Sequence, residues 1–175
     1  MPWKNGGGTT LEVAIHPPGA ASAGFQWRVS IAEIEKDGPF STFPGIDRTL
    51  VVLAGSGMRL TGLRDEPVDL RLYDLVAFAG EAEVESRLRD GPTRDLNVMT
   101  RRGALRAEVR VVRSEGIAWS GAAAYVCHAV SGSCACVVGD STFDVHEAHT
   151  LVCEAPRFAV DASDGAVAVV ARIAA

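Results

Sequence analysis

The sequence predicts an all-β protein, a sandwich or barrel laid out as two modules of similar plan. Three observations point there. Short runs with period-two alternation recur between turn signals supplied by 18 glycines and 8 prolines, which is the signature of many short strands. No long amphipathic helix accompanies them, and residues 32–36 have room for one turn at most. A repeat also runs through the chain. Gly55-Ser56-Gly57 precedes one strand and Ser131-Gly132-Ser133 another, while residues 73–78 and 149–154 follow at similar distances, for an offset of 76–77 residues.

The elements follow in chain order. Residues 25–34 alternate, with Phe25, Trp27, Val29 and Ile31 on one face and Gln26, Arg28, Ser30 and Ala32 on the other. Runs at 49–53, 68–72, 83–88 and 95–99 complete the first part. The run 106–113 opposes Ala107, Val109 and Val111 to Arg106, Glu108 and Arg110, and runs at 125–130 and 166–173 close the chain. The expectation is about a dozen strands in two modules, 1–105 and 106–175, within one compact unit.

At 175 residues the chain suits one ordinary domain or two small halves. Folding buries roughly 70 % of the unfolded surface at this length, so no disulfide staple is required. A content of 47 % hydrophobic and 22 % charged residues is that of a globular protein, not a disordered one. No apolar run reaches the ~18 residues of a membrane span. Met1-Pro2-Trp3-Lys4-Asn5 and the glycines after it lack the apolar stretch of a secretory signal, so a cytoplasmic protein with no membrane partner is expected. The net charge is −5, and acidic residues outnumber basic ones on both sides of residue 100. A nucleic-acid partner is therefore not expected. Only Lys4 and Lys36 are lysines among 17 cations; the arginine excess fits planar carboxylate recognition or genomic base composition equally well.

Cys127, Cys134, Cys136 and Cys153 all fall in the last third. Their spacing, with His128, His146 and His149, matches no standard zinc pattern. They read as reduced, buried, small apolar residues, and neither metal nor cofactor is expected.

Polar residues in unusual settings concentrate in the first half. Lys4-Asn5-Gly6-Gly7-Gly8-Thr9-Thr10 brings three glycines together, but its lysine precedes them and a strand follows, so it is no phosphate-binding P-loop. Arg28 and Ser30 share a strand face that either lines a cavity, where an arginine can hold a carboxylate bidentately, or faces solvent. Asp47 and Arg48 enter an apolar strand as a structural ion pair or as a site wall. Asp95, Asn97 and Met99 share a face that is either cavity or surface. No Gly-x-Ser-x-Gly elbow is present. The first half holds one histidine, His16, before Pro17-Pro18, and so lacks the usual general base.

These stretches together, Pro2 to Thr10, Trp27-Arg28-Val29-Ser30-Ile31-Ala32, Asp37 to Arg48 and Asp95 to Arg102, resemble the HutD/Ves family. The resemblance covers residues 2–102. It implies a double cupin, two β-sandwich or jelly-roll modules in one chain. It also implies a cytoplasmic bacterial protein often encoded with histidine-degradation enzymes, with an accessory or regulatory role; the Ves branch is linked to stress responses. The motif residues carried over are Lys4, Asn5, Arg28, Ser30, Asp47, Arg48, Asp95 and Asn97, expected to line or buttress the first module's cavity. Members usually carry about ten residues before the Pro-Trp-Lys-Asn stretch, so a missing first strand or a misassigned start is expected here. The His-x-His set of metal-binding cupins is absent from the first module, and His146-Glu147-Ala148-His149 has the wrong spacing in the second.

The expected function is non-enzymatic binding of a small anionic metabolite, urocanate or a formylglutamate-like acid. Arg28 and Arg48 would meet its carboxylate, with Ser30 and Asn97 as neutral hydrogen-bonders. Two alternatives stay open: a metal-dependent cupin enzyme using His128, His146, His149, Cys127 or Glu147, and a protein-interaction module using Trp3 and Trp119. A homodimer is open by analogy of fold alone.

Overall fold

The computed structural model of the chain describes residues 1–3, 6–20, 24–162 and 165–175. Every regular element among them is a strand, and the strands form two compact units, Met1–Ala104 and Leu105–Ala175.

The first unit contains β1 (Gly8–His16), β2 (Trp27–Ile34), β3 (Gly38–Pro39), β4 (Ile46–Ala54), β5 (Met58–Thr61), β6 (Val68–Leu70), β7 (Leu75–Ala79), β8 (Glu85–Leu88) and β9 (Thr93–Arg101). One sheet runs β1-β2-β9-β4-β7 and the other β3-β8-β5-β6. Ala32, Ile34, Leu50, Val52 and Val76 of the first pack with Met58, Leu60 and Leu70 of the second, so this unit is a sandwich. Val29, Val51, Leu96 and Val98 are buried on the opposite face of the larger sheet. Burial on both faces is why residues 50–53 read as a continuous apolar run and not an alternating one. The turn into β5 demands glycine. Gly57 has φ +88°, and a Cβ there would collide with the carbonyl oxygen of Leu70.

The second unit contains β10 (Arg106–Arg113), β11 (Gly116–Ser120), β12 (Ala124–Ser131), β13 (Cys134–Val138), β14 (Ser141–Val145), β15 (Thr150–Cys153), β16 (Arg157–Asp161) and β17 (Val167–Ala174). Its sheets run β10-β17-β12-β15 and β11-β16-β13-β14. Setting β2 against β10, β4 against β12 and β9 against β17 gives the same strand order in both units, which accounts for the repeat in the sequence. Tyr125, Cys127, Ala168 and Val170 pack with Cys134, Cys136, Phe158 and Val160, and the Tyr125 ring stacks on Phe158 at 4.9 Å. Cys127 Sγ lies 3.9 Å from Cys134 Sγ. Hydrogen bonding with the thiols of Cys134 and Cys136, together with burial, pushes the Cys127 thiol up. The Cys127 thiol therefore behaves as apolar filling, not as a nucleophile.

The seventeen strands exceed the expected dozen because several, such as β3 and β6, are only two or three residues long. Alternation cannot show itself over so few positions. The turn allowed at 32–36 is instead the end of β2, where Gly8 pairs with Ile34.

Candidate functional site

The site is built on the inward face of the larger sheet in the first unit. Ser30 on β2 pairs with Asn97 on β9, Arg28 with Met99, and Met99 in turn with Arg48 on β4. Antiparallel register thus places Arg28, Ser30, Arg48, Asp95, Asn97 and Met99 together. They line a cavity of about 80 Å³, closed further by Trp3, Thr10, Phe40 and Phe43.

Trp3 reaches it through the glycine stretch. Its backbone N–H donates to the Gly8 carbonyl at 2.8 Å, its Nε1 donates to Thr10 Oγ1 at 2.7 Å, and its ring meets Phe40 edge-on at 6.5 Å. Gly8 has no room for a side chain, because a Cβ there would strike the carbonyl oxygen of Glu33 on β2.

Arg28 is 8 % exposed. Its Nε donates to Glu12 Oε2 on β1 at 3.0 Å, and its terminal nitrogens have no acceptor among the described residues. Arg48 is likewise buried in the wall. Its guanidinium lies over Phe78 at 4.9 Å, Phe43 at 5.5 Å and Phe40 at 5.6 Å. Nη1 donates to the Ser41 carbonyl at 3.1 Å and Nη2 to Asn97 Oδ1 at 2.8 Å, while Nε has no partner among the described residues. Burial lowers its pKa to about 10, with Asp95 opposing that shift and Arg28 adding to it. Asn97 turns its Nδ2 to Asp95 Oδ1 at 2.7 Å, so one amide bridges the guanidinium and the carboxyl. Asp95 is 1 % exposed. Burial raises its pKa to about 7 despite the nearby Arg48 and the Asn97 bond.

Five of the eight sequence-designated residues, Arg28, Ser30, Arg48, Asp95 and Asn97, therefore meet in one cavity, and the surface alternatives for these faces do not hold. Asp47 does not join them. Period two turns it away from Arg48, and it pairs with Arg102 at 2.7 Å on the exposed side. Lys4 and Asn5 lie outside the described residues. Glu12, Thr10 and Ser41 are not among the residues the sequence designated for this cavity, and Trp3 was named only for the protein-interaction alternative. Thr10 and Glu12 face Ala32 and Ser30 in the β1–β2 register, so pairing residues 8–16 with 27–34 as neighbouring strands is the signal that finds two of them.

The residues of the metal-centre alternative are not assembled. His128 is buried on β12 with Nδ1 2.8 Å from Thr150 Oγ1. His146 and His149 lie on an exposed turn, where Ser133 Oγ is 3.0 Å from His146 Nδ1. Among the described residues, no three His, Cys, Asp or Glu side chains gather around a common point. The first cavity likewise does not fit a divalent ion, since the only carboxyl among its described lining residues shares the cavity with two arginines.

Two antiparallel sandwiches sharing this strand order define a double-cupin protein. A cupin 2 conserved barrel domain protein from Leptotrichia buccalis shares the fold, with TM-score 0.61 at 11 % identity over 95 % of this chain and 88 % of that one. The HutD family profile matches residues 1–170, and the chain belongs to the HutD family. HutD from Pseudomonas fluorescens SBW25, solved in a formate condition, superposes with TM-score 0.84 at 29 % identity, covering 99 % of this chain and 92 % of that one. An uncharacterised 21.2 kDa protein in the hutC 3' region of Pseudomonas putida is 46 % identical over 57 % of this chain and 52 % of its own length. Protein Ves from Citrobacter koseri is 41 % identical over 62 % of this chain and 56 % of its own. The chain spans about half the length of the curated relatives it matches.

Proposed function

We propose that the first-unit cavity holds the carboxylate of a small anionic metabolite, and that the protein is a non-enzymatic accessory or regulatory protein of histidine utilisation acting in the cytoplasm. The observation that carries this reading is the Arg28 guanidinium. It is buried and tied by Nε to Glu12, with its two terminal nitrogens unmatched among the described residues. A carboxylate supplies the two-point acceptor this fork needs. Ser30 adds a neutral hydrogen-bonder beside it, and Arg48 adds positive potential from behind. Thr10, Ser30 and Ser41 have no imidazole among the described lining residues to activate a hydroxyl.

Size narrows the ligand. A cavity of about 80 Å³, against the ~30 Å³ that a water occupies in the liquid, takes formate whole or the carboxylate head of urocanate or of a formylglutamate-like acid. The pathway is supported by the relatives: one lies in the hutC 3' region and another is a HutD solved in a formate condition. The reading involves no nucleic acid and no membrane.

A thermal-shift panel of formate, urocanate and N-formylglutamate, with and without chelator, tests it. A ligand at 100 times its Kd adds about 2.7 kcal/mol, which at this length raises Tm by roughly 5–10 °C. Arg28→Lys should weaken the bound acid by about 1.5–3 kcal/mol, the size of a charge-assisted bond. No shift with any acid, or undiminished binding by Arg28→Lys, overturns the reading. A chelator-induced drop in Tm would favour the metal centre instead.

A further inference from the structure

The cavity contains a carboxyl group that a simple anion site would avoid. Asp95 borders the space that Arg28 and Ser30 also border, and a second negative charge placed there would repel it at short range in a poorly solvated setting. Its Oδ1 is engaged by Asn97; its Oδ2 has no hydrogen bond among the described residues. The Asn97 amide is fixed in its orientation, since its Oδ1 must accept from Arg48. Asn97 therefore always presents N–H to Asp95 Oδ1, and any proton on Asp95 resides on Oδ2.

We propose that Asp95 is the specificity-determining residue of this cavity: its Oδ2 takes up a proton as a small monocarboxylate enters, so that anion and proton bind together and Asp95 donates a hydrogen bond to the bound acid. This rests on the carboxylate reading given above. In the empty cavity Asp95 serves as countercharge to Arg48, and the entering anion takes over that role. The protonated carboxyl then changes from a repelling group into a donor.

The charged group acting on Asp95 is Arg48 on β4; Arg28 on β2 borders the same cavity, with Glu12 on β1 held by Arg28. The remaining described lining residues are aromatic, aliphatic, hydroxyl or amide side chains, none of which titrates near neutrality. Burial already brings the free carboxyl to about 7, so the coupling falls within an accessible pH range. Affinity should be greatest below neutrality and fall about tenfold per pH unit above it.

The test is calorimetric titration of the full chain with formate from about pH 6 to about pH 8.5, in buffers of differing ionisation enthalpy, on the parent and on Asp95→Asn. The parent should bind about thirty-fold more weakly at the alkaline end and take up close to one proton per formate there. Asp95→Asn, a permanently neutral carboxyl mimic, should bind with an affinity that does not vary with pH. A flat parent profile without proton uptake overturns the coupling and leaves the carboxylate site standing, as does a pH slope that survives in Asp95→Asn. Absence of binding heat at every pH overturns both. Should Asp95→Asn fail to fold, the proton uptake of the parent decides alone.

Discussion

The two sandwiches share a strand order and differ in what fills them. Leu50 faces Asn97 in the first unit as Cys127 faces Val170 in the second. Arg48 faces Met99 as Tyr125 faces Arg172, and Val52 faces Asp95 as Ala129 faces Ala168. By this register Arg48, Asp95 and Asn97 occupy the places of Tyr125, Ala168 and Val170. One unit seats a buried guanidinium, a carboxyl and an amide where the other seats an aromatic ring and two aliphatic side chains. The fold is satisfied by the apolar set, so it does not require the polar one. Buried ionic groups cost stability relative to well-packed apolar residues, and local rules are broken chiefly where function requires it. The first unit therefore carries this polar set at the expense of core stability, as the proposed carboxylate site requires, and the second shows what that core looks like without it.

The largest effect should come from breaking the polar set in half. Arg48→Ala strands Asn97 and Asp95 and empties a cage of three phenylalanines, and should cost about 3–5 kcal/mol in urea unfolding. A loss near zero would mean the network is not coupled. Next comes pH. The Asp95 carboxyl is raised from 3.8 to about 7 in the folded state, so the folded protein holds this proton more tightly than the unfolded chain. Its contribution is present in full below about pH 4 and lost as pH rises through about 7, on the order of 4 kcal/mol in all. Thermal unfolding of Asp95→Asn should lack that decline, and an unchanged pH profile in the variant would remove Asp95 as its source.

Converting the first interior into the second is a smaller perturbation and the more revealing one. Arg48→Tyr, Asp95→Ala and Asn97→Val combined should leave stability unchanged or raise it by about 1–4 kcal/mol, while abolishing the formate response. Loss of folding in the triple variant would show that the polar set is structural. The smallest change lies in the second unit. The Tyr125 hydroxyl is buried without a partner among the described residues, and Tyr125→Phe should stabilise by about 1 kcal/mol. A loss of that size would reveal a hydrogen bond to that hydroxyl.

The fold was largely legible. Arg106–Arg113 alternates over its whole length, and β10 has those bounds; the glycine-serine turns mark the entries to β5 and β13. Strands of two or three residues left no periodic trace. The site was legible in part. Alternation placed Arg28 with Ser30, and Asp95 with Asn97, on common faces, and a charged pair entering an apolar strand pointed to Arg48. The same pair included Asp47, which period two turns outward to Arg102. Glu12 escaped because its pairing with Arg28 depends on a strand neighbour and on the irregularity between Glu12 and Ala14, neither of which a single strand reveals.

By itself the sequence determined the all-β class, the duplicated plan and the family, because alternation, turn residues and motif spacing are local properties of the chain. Only the tertiary structure decided which polar faces are buried. Whether Arg28 meets solvent or a cavity depends on the strands lying beside and across from it. Likewise, the raised Asp95 carboxyl and the unmatched Arg28 fork come from desolvation and packing, which arise only when distant segments close around them.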